Sequence, residues 1–122
     1  MSKRILSVSY DEPLLRTREL LLRGHGYTVS SALGFTEAVE HCKDGNFDLF
    51  ILGHSIPDKD KRQLISVFHG QCKSPVLALR RHGEDTPDNA DHHAYPDDIE
   101  GLLNTVNKIL NHNERRRTKD RA

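Results

Sequence analysis

One short segment narrows the folds open to this 122-residue chain. Residues 47–52, Phe-Asp-Leu-Phe-Ile-Leu, form an apolar run that is interrupted only by Asp48. A strand with one face in water alternates polar and apolar side chains, whereas a strand covered on both faces is apolar almost throughout. The run therefore predicts a central strand of a parallel sheet, with helices packed against both faces of that sheet.

Strand and helix patterns alternate along the rest of the chain. Short apolar or β-branched runs predict further strands at residues 5–8, 27–30, 75–79 and 93–95. Apolar residues recur at helical spacing over residues 14–22, 35–42, 64–72 and 99–110. Asp11-Glu12-Pro13 is typical of a helix start, and Gly24-His25-Gly26 of a helix end. This order predicts βαβ units in a doubly wound α/β fold, in which ligands bind at the carboxyl ends of the strands.

The distribution of charge separates a domain from a tail. Eighteen Lys and Arg residues balance eighteen Asp and Glu residues, which argues against a protein that coats nucleic acid. Five of the basic residues lie within positions 115–121. We therefore expect residues 1–113 to form one domain and residues 114–122 a basic, flexible tail. Such a run could touch nucleic acid or an acidic partner, but without interleaved aromatic residues it is more typical of a solvated end.

The expected compartment is the cytoplasm. No apolar run approaches the roughly 18 residues that a membrane span requires. The start, Met1 to Ile5, lacks the apolar stretch of a signal peptide. The two cysteines, Cys42 and Cys72, each fall within a helical pattern, so we interpret them as reduced core thiols and not as a disulfide.

The segments over residues 3–111 resemble, in their order and spacing, the receiver domain of bacterial two-component response regulators. The matching stretches are Ile5-Leu6-Ser7-Val8 with Asp11-Glu12-Pro13, Gly26-Tyr27-Thr28-Val29, residues 47–52 followed by Ile56-Pro57, Pro75-Val76-Leu77-Ala78-Leu79, and Pro96 before Ile99-Glu100-Gly101. The resemblance implies a flavodoxin-like doubly wound (βα)₅ sandwich, with a parallel five-stranded sheet of order 2-1-3-4-5.

The resemblance also implies a phosphorylation pocket, and every matching position in it is altered. In the family, an acidic pair after the first strand helps to hold Mg²⁺, and a carboxylate after the third strand takes a phosphoryl group from a histidine kinase. A hydroxyl group and a lysine after the fourth and fifth strands contact the phosphoryl oxygens. The corresponding residues here are Ser9 and Tyr10, Gly53, Arg80 and Tyr95. The pocket is therefore expected to be degenerate.

Neighbouring residues on the pocket rim do not replace the lost groups. Asp11 is expected to begin the first helix, and His54 and Ser55 follow the vacant acceptor position. Arg81 and His82 complete the rim candidates. We expect a neutral to positive pocket, which either Arg80 or Tyr10 fills and locks in one conformation. The alternative, in which Arg80 points to solvent, stays open.

Two further departures concern the region from Arg80 to Pro96, in which Tyr95 follows Arg80 by 15 positions. It is shorter than in the family by about two helical turns, so the fourth helix is expected to be shortened or missing. Family dimerisation through that helix is then not carried over, although a homodimer remains open. The family's Lys-Pro bond is commonly cis, and we expect the same of Tyr95-Pro96.

Other chemistries find little support. The chain has eight histidines, but their spacing matches no zinc pattern, and adjacent His92 and His93 in a strand would point to opposite faces. We expect no metal and no cofactor. No spacing of Ser, His and Asp suggests a catalytic triad, so we do not expect an enzyme.

These observations favour an atypical receiver domain that acts as a phosphorylation-independent protein-interaction module in two-component-type signalling. Its expected contact region is the rim formed by the loops after Val8, Leu52 and Leu79, with the first helix beside it. The expected partner is a protein in a signalling pathway, with neither a membrane nor nucleic acid involved. One alternative is a sensor that binds a small anionic ligand in the degenerate pocket, near Arg80-Arg81-His82-Gly83. The other, a conventional phosphoacceptor, is disfavoured by the substitutions.

Overall fold

The computed structural model describes the backbone of residues 3–81 and 89–121, with the side chains of all these residues except Asp44 and residues 112–121. The elements alternate between strand and helix as far as β4. In chain order they are β1 (Arg4–Ser9), α1 (Glu12–Gly24), β2 (Thr28–Leu33), α2 (Phe35–Asp44), β3 (Leu49–Leu52), α3 (Asp58–Gln71), β4 (Val76–Leu79), β5 (His92–Ala94) and α4 (Ile99–Arg121).

The five strands form one parallel sheet of order β2-β1-β3-β4-β5. The apolar run at residues 47–52 supplies β3, which lies at the centre between β1 and β4. Leu52 at the end of β3 pairs with Val8 of β1 and Ala78 of β4. All four residues of β3 are buried, as expected for a strand covered on both faces. The predicted fold class and strand order are confirmed.

The core has two halves, one on each face of the sheet. Alternate residues of a strand point to opposite faces, so Ile51 and Leu52 of β3 belong to different halves. Leu52 packs with α2 and α3, where the rings of Phe50 and Phe68 stack with their centroids 4.2 Å apart. Ile51 packs with α1 and with the buried stretch of α4 that includes Leu102. The sheet is thus enclosed by helices from both sides.

The ends of α1 follow the sequence signals. Asp11 is the N-cap, and its Oδ1 accepts a hydrogen bond of 3.1 Å from the backbone N–H of Leu14. Pro13 lies in the first turn, where its missing N–H costs nothing. After the C-cap His25, Gly26 adopts a φ of +91°, a conformation that favours glycine. Asp11 therefore begins the helix, as predicted.

The connection between β4 and β5 lacks a helix in its described part, residues 80, 81 and 89–91. The structure describes four helices, and none of them lies between these strands, in agreement with the predicted shortening. Asp91, the residue before β5, is held to β4 and α3, because its carboxylate accepts hydrogen bonds from the backbone N–H of Val76 at 2.8 Å and from Nε2 of His69 at 2.7 Å.

The Tyr95-Pro96 bond is trans, so the predicted cis bond is wrong. The backbone N–H of Asp98 donates to the carbonyl of Tyr95 at 3.3 Å, which closes a four-residue turn with Pro96 in its second position. Trans proline favours that position in a common turn, whereas a cis proline belongs in the third position. The turn leads into α4, whose first turn is capped where Asp98 Oδ1 accepts from the N–H of Gly101 at 2.9 Å.

The last helix extends further than the sequence predicts. Its backbone is helical through Arg121, so the helix predicted over residues 99–110 continues into the segment at 114–121. Charged residues such as those at 114–121 are good helix formers, and a preceding packed helix provides the nucleus that they extend. The flexibility expected of this segment stays a prediction. Within the described chain, no helix has the apolar length that a membrane crossing requires.

The two cysteine side chains meet between α2 and α3. Cys42 is buried in α2. Cys72 was also expected to lie within a helix, but it is the first residue after α3. Their Sγ atoms lie 3.0 Å apart without a bond between them, and the reduced state stays a prediction. Burial and the Cys72 thiol raise the pKa of the Cys42 thiol to about 12, so it stays protonated at neutral pH.

Candidate functional site

The residues predicted to correspond to the family pocket lie at the carboxyl ends of the strands. Ser9 ends β1, Gly53 follows β3, Arg80 follows β4, and Tyr95 follows β5. Because all five strands are parallel, these positions share one edge of the sheet. Tyr10 is the next residue after Ser9. The edge is the one at which doubly wound sheets bind their ligands.

Hydroxyl groups form a small network where the family has acidic side chains. The buried Ser9 Oγ lies 3.1 Å from Ser55 Oγ and accepts a hydrogen bond from the backbone N–H of Asp11 at 3.0 Å. Ser55 Oγ also accepts from the N–H of Tyr10 at 3.1 Å. The loop after β1 is thus fastened to the loop after β3. These neutral hydroxyls have no charge with which to attract a divalent cation.

The side chain of Tyr10 is directed to α3. Its hydroxyl donates to Asp60 Oδ2 at 2.8 Å, and its ring packs against the half of the core that contains α2 and α3. Burial, followed by the hydrogen bond to Asp60 and its negative charge, raises the pKa of Tyr10 above its usual range. Tyr10 therefore remains a neutral donor, tied to a neighbouring helix.

Arg80 and Tyr95 contact each other across β4 and β5. Nη2 of Arg80 donates to the Tyr95 hydroxyl at 3.0 Å, and the guanidinium carbon lies 5.3 Å from the centroid of the Tyr95 ring. The geometry combines a hydrogen bond with a cation–π contact. The two residues predicted to stand at the family's hydroxyl and lysine positions thus contact each other.

The guanidinium that lies beside Gly53 belongs to Arg18 of α1. A Cβ atom placed on Gly53 would lie 3.2 Å from Arg18 Nη1 and 3.1 Å from the carbonyl oxygen of Val8. Only 7% of the Arg18 surface is accessible. Nη1 has no hydrogen-bond partner among the described residues. Burial lowers the pKa of Arg18, because desolvation disfavours its charged form. A buried cation therefore lies next to Gly53, the residue predicted to stand at the acceptor position.

A second buried cation reaches the same edge from the other face of the sheet. Lys61 in the first turn of α3 is 4% accessible, and its Nζ donates to the carbonyl oxygen of Leu79 at 2.8 Å. Desolvation, and then the nearby charges of Arg80, His92 and Lys61, lower the pKa of His93. The sheet edge immediately around His93 is therefore electropositive.

A groove between α1 and the start of α4 opens beside Arg18. We call it the α1–α4 groove, and its volume is about 410 Å³. His54 and Arg81 line it together with Arg18, and the single carboxylate among its described lining residues is that of Asp97. His82, the remaining rim candidate, lies outside the described residues. The predicted rim residues therefore fall into two groups. Asp11 and Ser55 take part in the hydrogen bonds of the loops after β1 and β3, whereas His54 and Arg81 line the groove.

Arg18 and Lys61 are the residues that sequence reasoning missed. Arg18 falls on the apolar face of its helix, between Leu14 and Leu22, and a charge on a buried face is a detectable signal. Lys61 carried no comparable signal, because it precedes the apolar spacing at residues 64–72 that predicted the third helix. Neither Tyr10 nor Arg80 is the residue beside Gly53, so the expectation that one of them occupies this position is corrected in favour of Arg18.

The described residues do not form a cluster of metal ligands. Within residues 3–81 and 89–121, no group of three or more His, Cys, Asp or Glu side chains is arranged to hold a metal ion. Of the carboxylates near the sheet edge, Asp11 caps α1 and Asp60 accepts from Tyr10. These two carboxylates are thus already engaged within the protein.

Comparison with solved structures identifies the architecture. The N-terminal domain of a response regulator/sensory box/GGDEF three-domain protein from Carboxydothermus hydrogenoformans superposes with a TM-score of 0.79, at 24% identity, over 93% of this chain and 98% of that chain. The chain has the receiver-domain fold. No protein-family model matches the sequence.

Two further receiver-fold structures show the same likeness. Chemotaxis protein CheY4 of Vibrio cholerae gives a TM-score of 0.76 at 22% identity, over 89% of this chain and 99% of that chain. The response regulator TrrA of Thermotoga maritima, solved with Mg²⁺ and BeF, gives 0.77 at 23% identity, over 88% and 98% of the two chains. The receiver fold therefore extends over most of this sequence, whereas its sheet edge carries Ser9, Gly53, Arg80 and Tyr95.

Proposed function

We propose that this chain is an atypical receiver domain that works as a phosphorylation-independent protein-interaction module in two-component-type signalling. It has no catalytic activity of its own in this role, and we place it in the cytoplasm. The observation that carries the proposal is the pair formed by Gly53 and Arg18. Glycine offers no nucleophile at the position that matches the acceptor, and the guanidinium lies 3.2 Å from where a Cβ would stand.

The electrostatics of the edge support the proposal. An active receiver pocket gathers carboxylates whose mutual repulsion a divalent cation relieves, and phosphorylation then changes the charge of the site. Here Arg18 and Lys61 supply buried positive charge without Mg²⁺. The loop hydrogen bonds of Ser55 and the Arg80–Tyr95 pair hold the surrounding segments in place. A site of this kind presents the same surface at all times, whereas an active pocket switches between two conformations.

Phosphorylation is tested directly with radiolabelled acetyl phosphate and Mg²⁺, with a conventional receiver domain as the positive control. We expect no incorporation of label into this chain. In parallel, amide NMR spectra with and without Mg²⁺ and beryllofluoride are expected to show unchanged resonances at Ser9, Gly53 and Arg80. Incorporation of label would overturn the proposal. The Asp11→Asn variant, which retains a helix-capping side chain, would then show whether Asp11 is the acceptor.

The proposed interaction surface is the rim of the edge together with the exposed side of α1. Leu20 on α1 is 71% accessible, a large apolar side chain that no described neighbour covers. Leu20→Glu places a charge there, and Gln63→Glu places the same charge at an exposed position on α3 as the matched control. In affinity capture from the source cells, we expect a partner that wild type and Gln63→Glu retain and Leu20→Glu loses. Identical capture by all three proteins would contradict this surface.

A further inference from the structure

The buried guanidinium of Arg18 has no compensating charge among the described residues. Arg18 is 7% accessible, and no hydrogen bond or ion pair to a described residue holds its guanidinium. Buried charges in proteins are normally paired, because an unpaired charge loses its hydration without receiving a partner in return. The remaining accessible surface of Arg18 contributes to the lining of the α1–α4 groove. An anion in that groove can supply the missing partner.

The walls of the α1–α4 groove are mostly aliphatic. Leu14 and Leu21 of α1 face Ile99 and Leu102 of α4 across it. Ile99 is 54% accessible, one of two large apolar side chains that the described structure leaves exposed. Small-molecule sites combine such apolar walls with a few polar groups that fix the ligand, in volumes of roughly 300–1,000 Å³. The groove, at about 410 Å³, has this character.

We infer that the α1–α4 groove binds a small carboxylic acid with an apolar body, whose carboxylate pairs with Arg18. A planar guanidinium matches a carboxylate with two parallel hydrogen bonds, and the contact is stronger where water is excluded. Arg81 and His54 lie on the same lining, together with the single described carboxylate, that of Asp97. The apolar body of the ligand covers the leucine and isoleucine walls. Both proposals involve Arg18, but binding of this ligand needs no protein partner and is measured in its absence, so the two can fail independently.

The size and charge of the ligand are tested together with three probes. Octanoate has both a carboxylate and an apolar body, octanol lacks the charge, and acetate lacks the apolar body. A ligand that binds only the native state raises the thermal midpoint in a saturable manner. We expect octanoate to do so and the other two probes, at the same concentration, to have no such effect. Amide shifts caused by octanoate are expected to cluster on residues 14–21 and 96–102.

Two variants assign the binding to Arg18. Arg18→Met keeps a long side chain without the charge, and we expect it to weaken octanoate binding by about tenfold or more. Arg16→Met, at an exposed position on the same helix, is the matched control and should bind as wild type does. Gly53→Asp keeps Arg18 and places a competing carboxylate beside its guanidinium. It should also weaken binding, which preserves the test if Arg18→Met does not fold.

Each outcome either supports the proposed carboxylate site or overturns it. Saturable stabilisation by octanoate alone, lost in Arg18→Met and in Gly53→Asp, supports the site. No saturable effect of octanoate on the folded wild-type protein overturns it. So does equal binding of octanol, which would show that the groove recognises only apolar surface. Octanoate binding that both variants retain would likewise overturn the role of Arg18.

Discussion

Replacing Arg18 with methionine should stabilise this protein, although the substitution removes a buried side chain from the core side of α1. Methionine keeps the unbranched stem that packs beneath the helix, and it removes a charge that has no partner among the described residues. An unsatisfied buried donor costs about 1–3 kcal/mol. We therefore expect the free energy of unfolding to rise by about 1–3 kcal/mol. For a domain of this size, each kcal/mol corresponds to about 4 °C in the thermal midpoint.

The measurement is urea denaturation of wild type and Arg18→Met at neutral pH, followed by circular dichroism. Arg16→Met serves as the control, because Arg16 has a 70% accessible side chain and its ion pair with Glu12 at 3.6 Å lies at the surface. Exposed substitutions of this kind change stability by about 0.5 kcal/mol or less. A loss of stability in Arg18→Met beyond that of the control would refute the reasoning. It would show that the guanidinium makes favourable interactions that outweigh its desolvation.

Three further predictions concern other buried or paired groups. Lys61→Met removes the Nζ donor of the carbonyl of Leu79 and should lower the free energy of unfolding by about 1–3 kcal/mol, measured in urea; unchanged stability would contradict the role given to this hydrogen bond. Cys42, with a thiol pKa raised to about 12, should resist iodoacetamide at pH 8 in the folded protein, and mass spectrometry showing alkylation as fast as in urea would contradict this. Burial raises the pKa of Asp91, but hydrogen bonds from His69 and a backbone N–H, together with nearby positive charge, outweigh it and leave the pKa below its usual value. A carboxyl group with a lowered folded-state pKa stabilises the protein fully above its unfolded pKa of about 4, and this contribution disappears as the pH falls through the folded value. Unfolding measured from pH 6 to pH 3 should therefore lose less stability in Asp91→Asn than in wild type, and parallel curves would exclude this assignment.

The fold was predictable because it depends on local patterns that tertiary contacts reinforce. The apolar run at residues 47–52 requires cover on both faces, and that requirement alone implies helices on both sides of a parallel sheet. Asp11 and Gly26 begin and end α1 through local backbone chemistry. These features depend on residues close in sequence, so the sequence displays them directly.

The site was less predictable because its contacts depend on how far long side chains reach in the folded protein. Helical spacing places Arg18 on the buried face of α1, but it does not reveal that the guanidinium reaches the residue after β3. The partners of Arg80 and Tyr10 depend in the same way on which neighbouring element is within reach. The Tyr95-Pro96 bond was predicted from family habit, whereas the local turn into α4 determines its isomer.

The short β5 has a consequence for how the molecule opens. β3 is hydrogen-bonded on both sides and buried throughout, whereas β5 pairs with one neighbour over only three residues, none of them fully buried. Local opening requires least free energy where few contacts and few hydrogen bonds must be broken. Amide hydrogens of β5 should therefore exchange with solvent well before those of β1 and β3. The Arg80–Tyr95 pair lies at the end of this strand, so the least stable part of the sheet adjoins the electropositive edge.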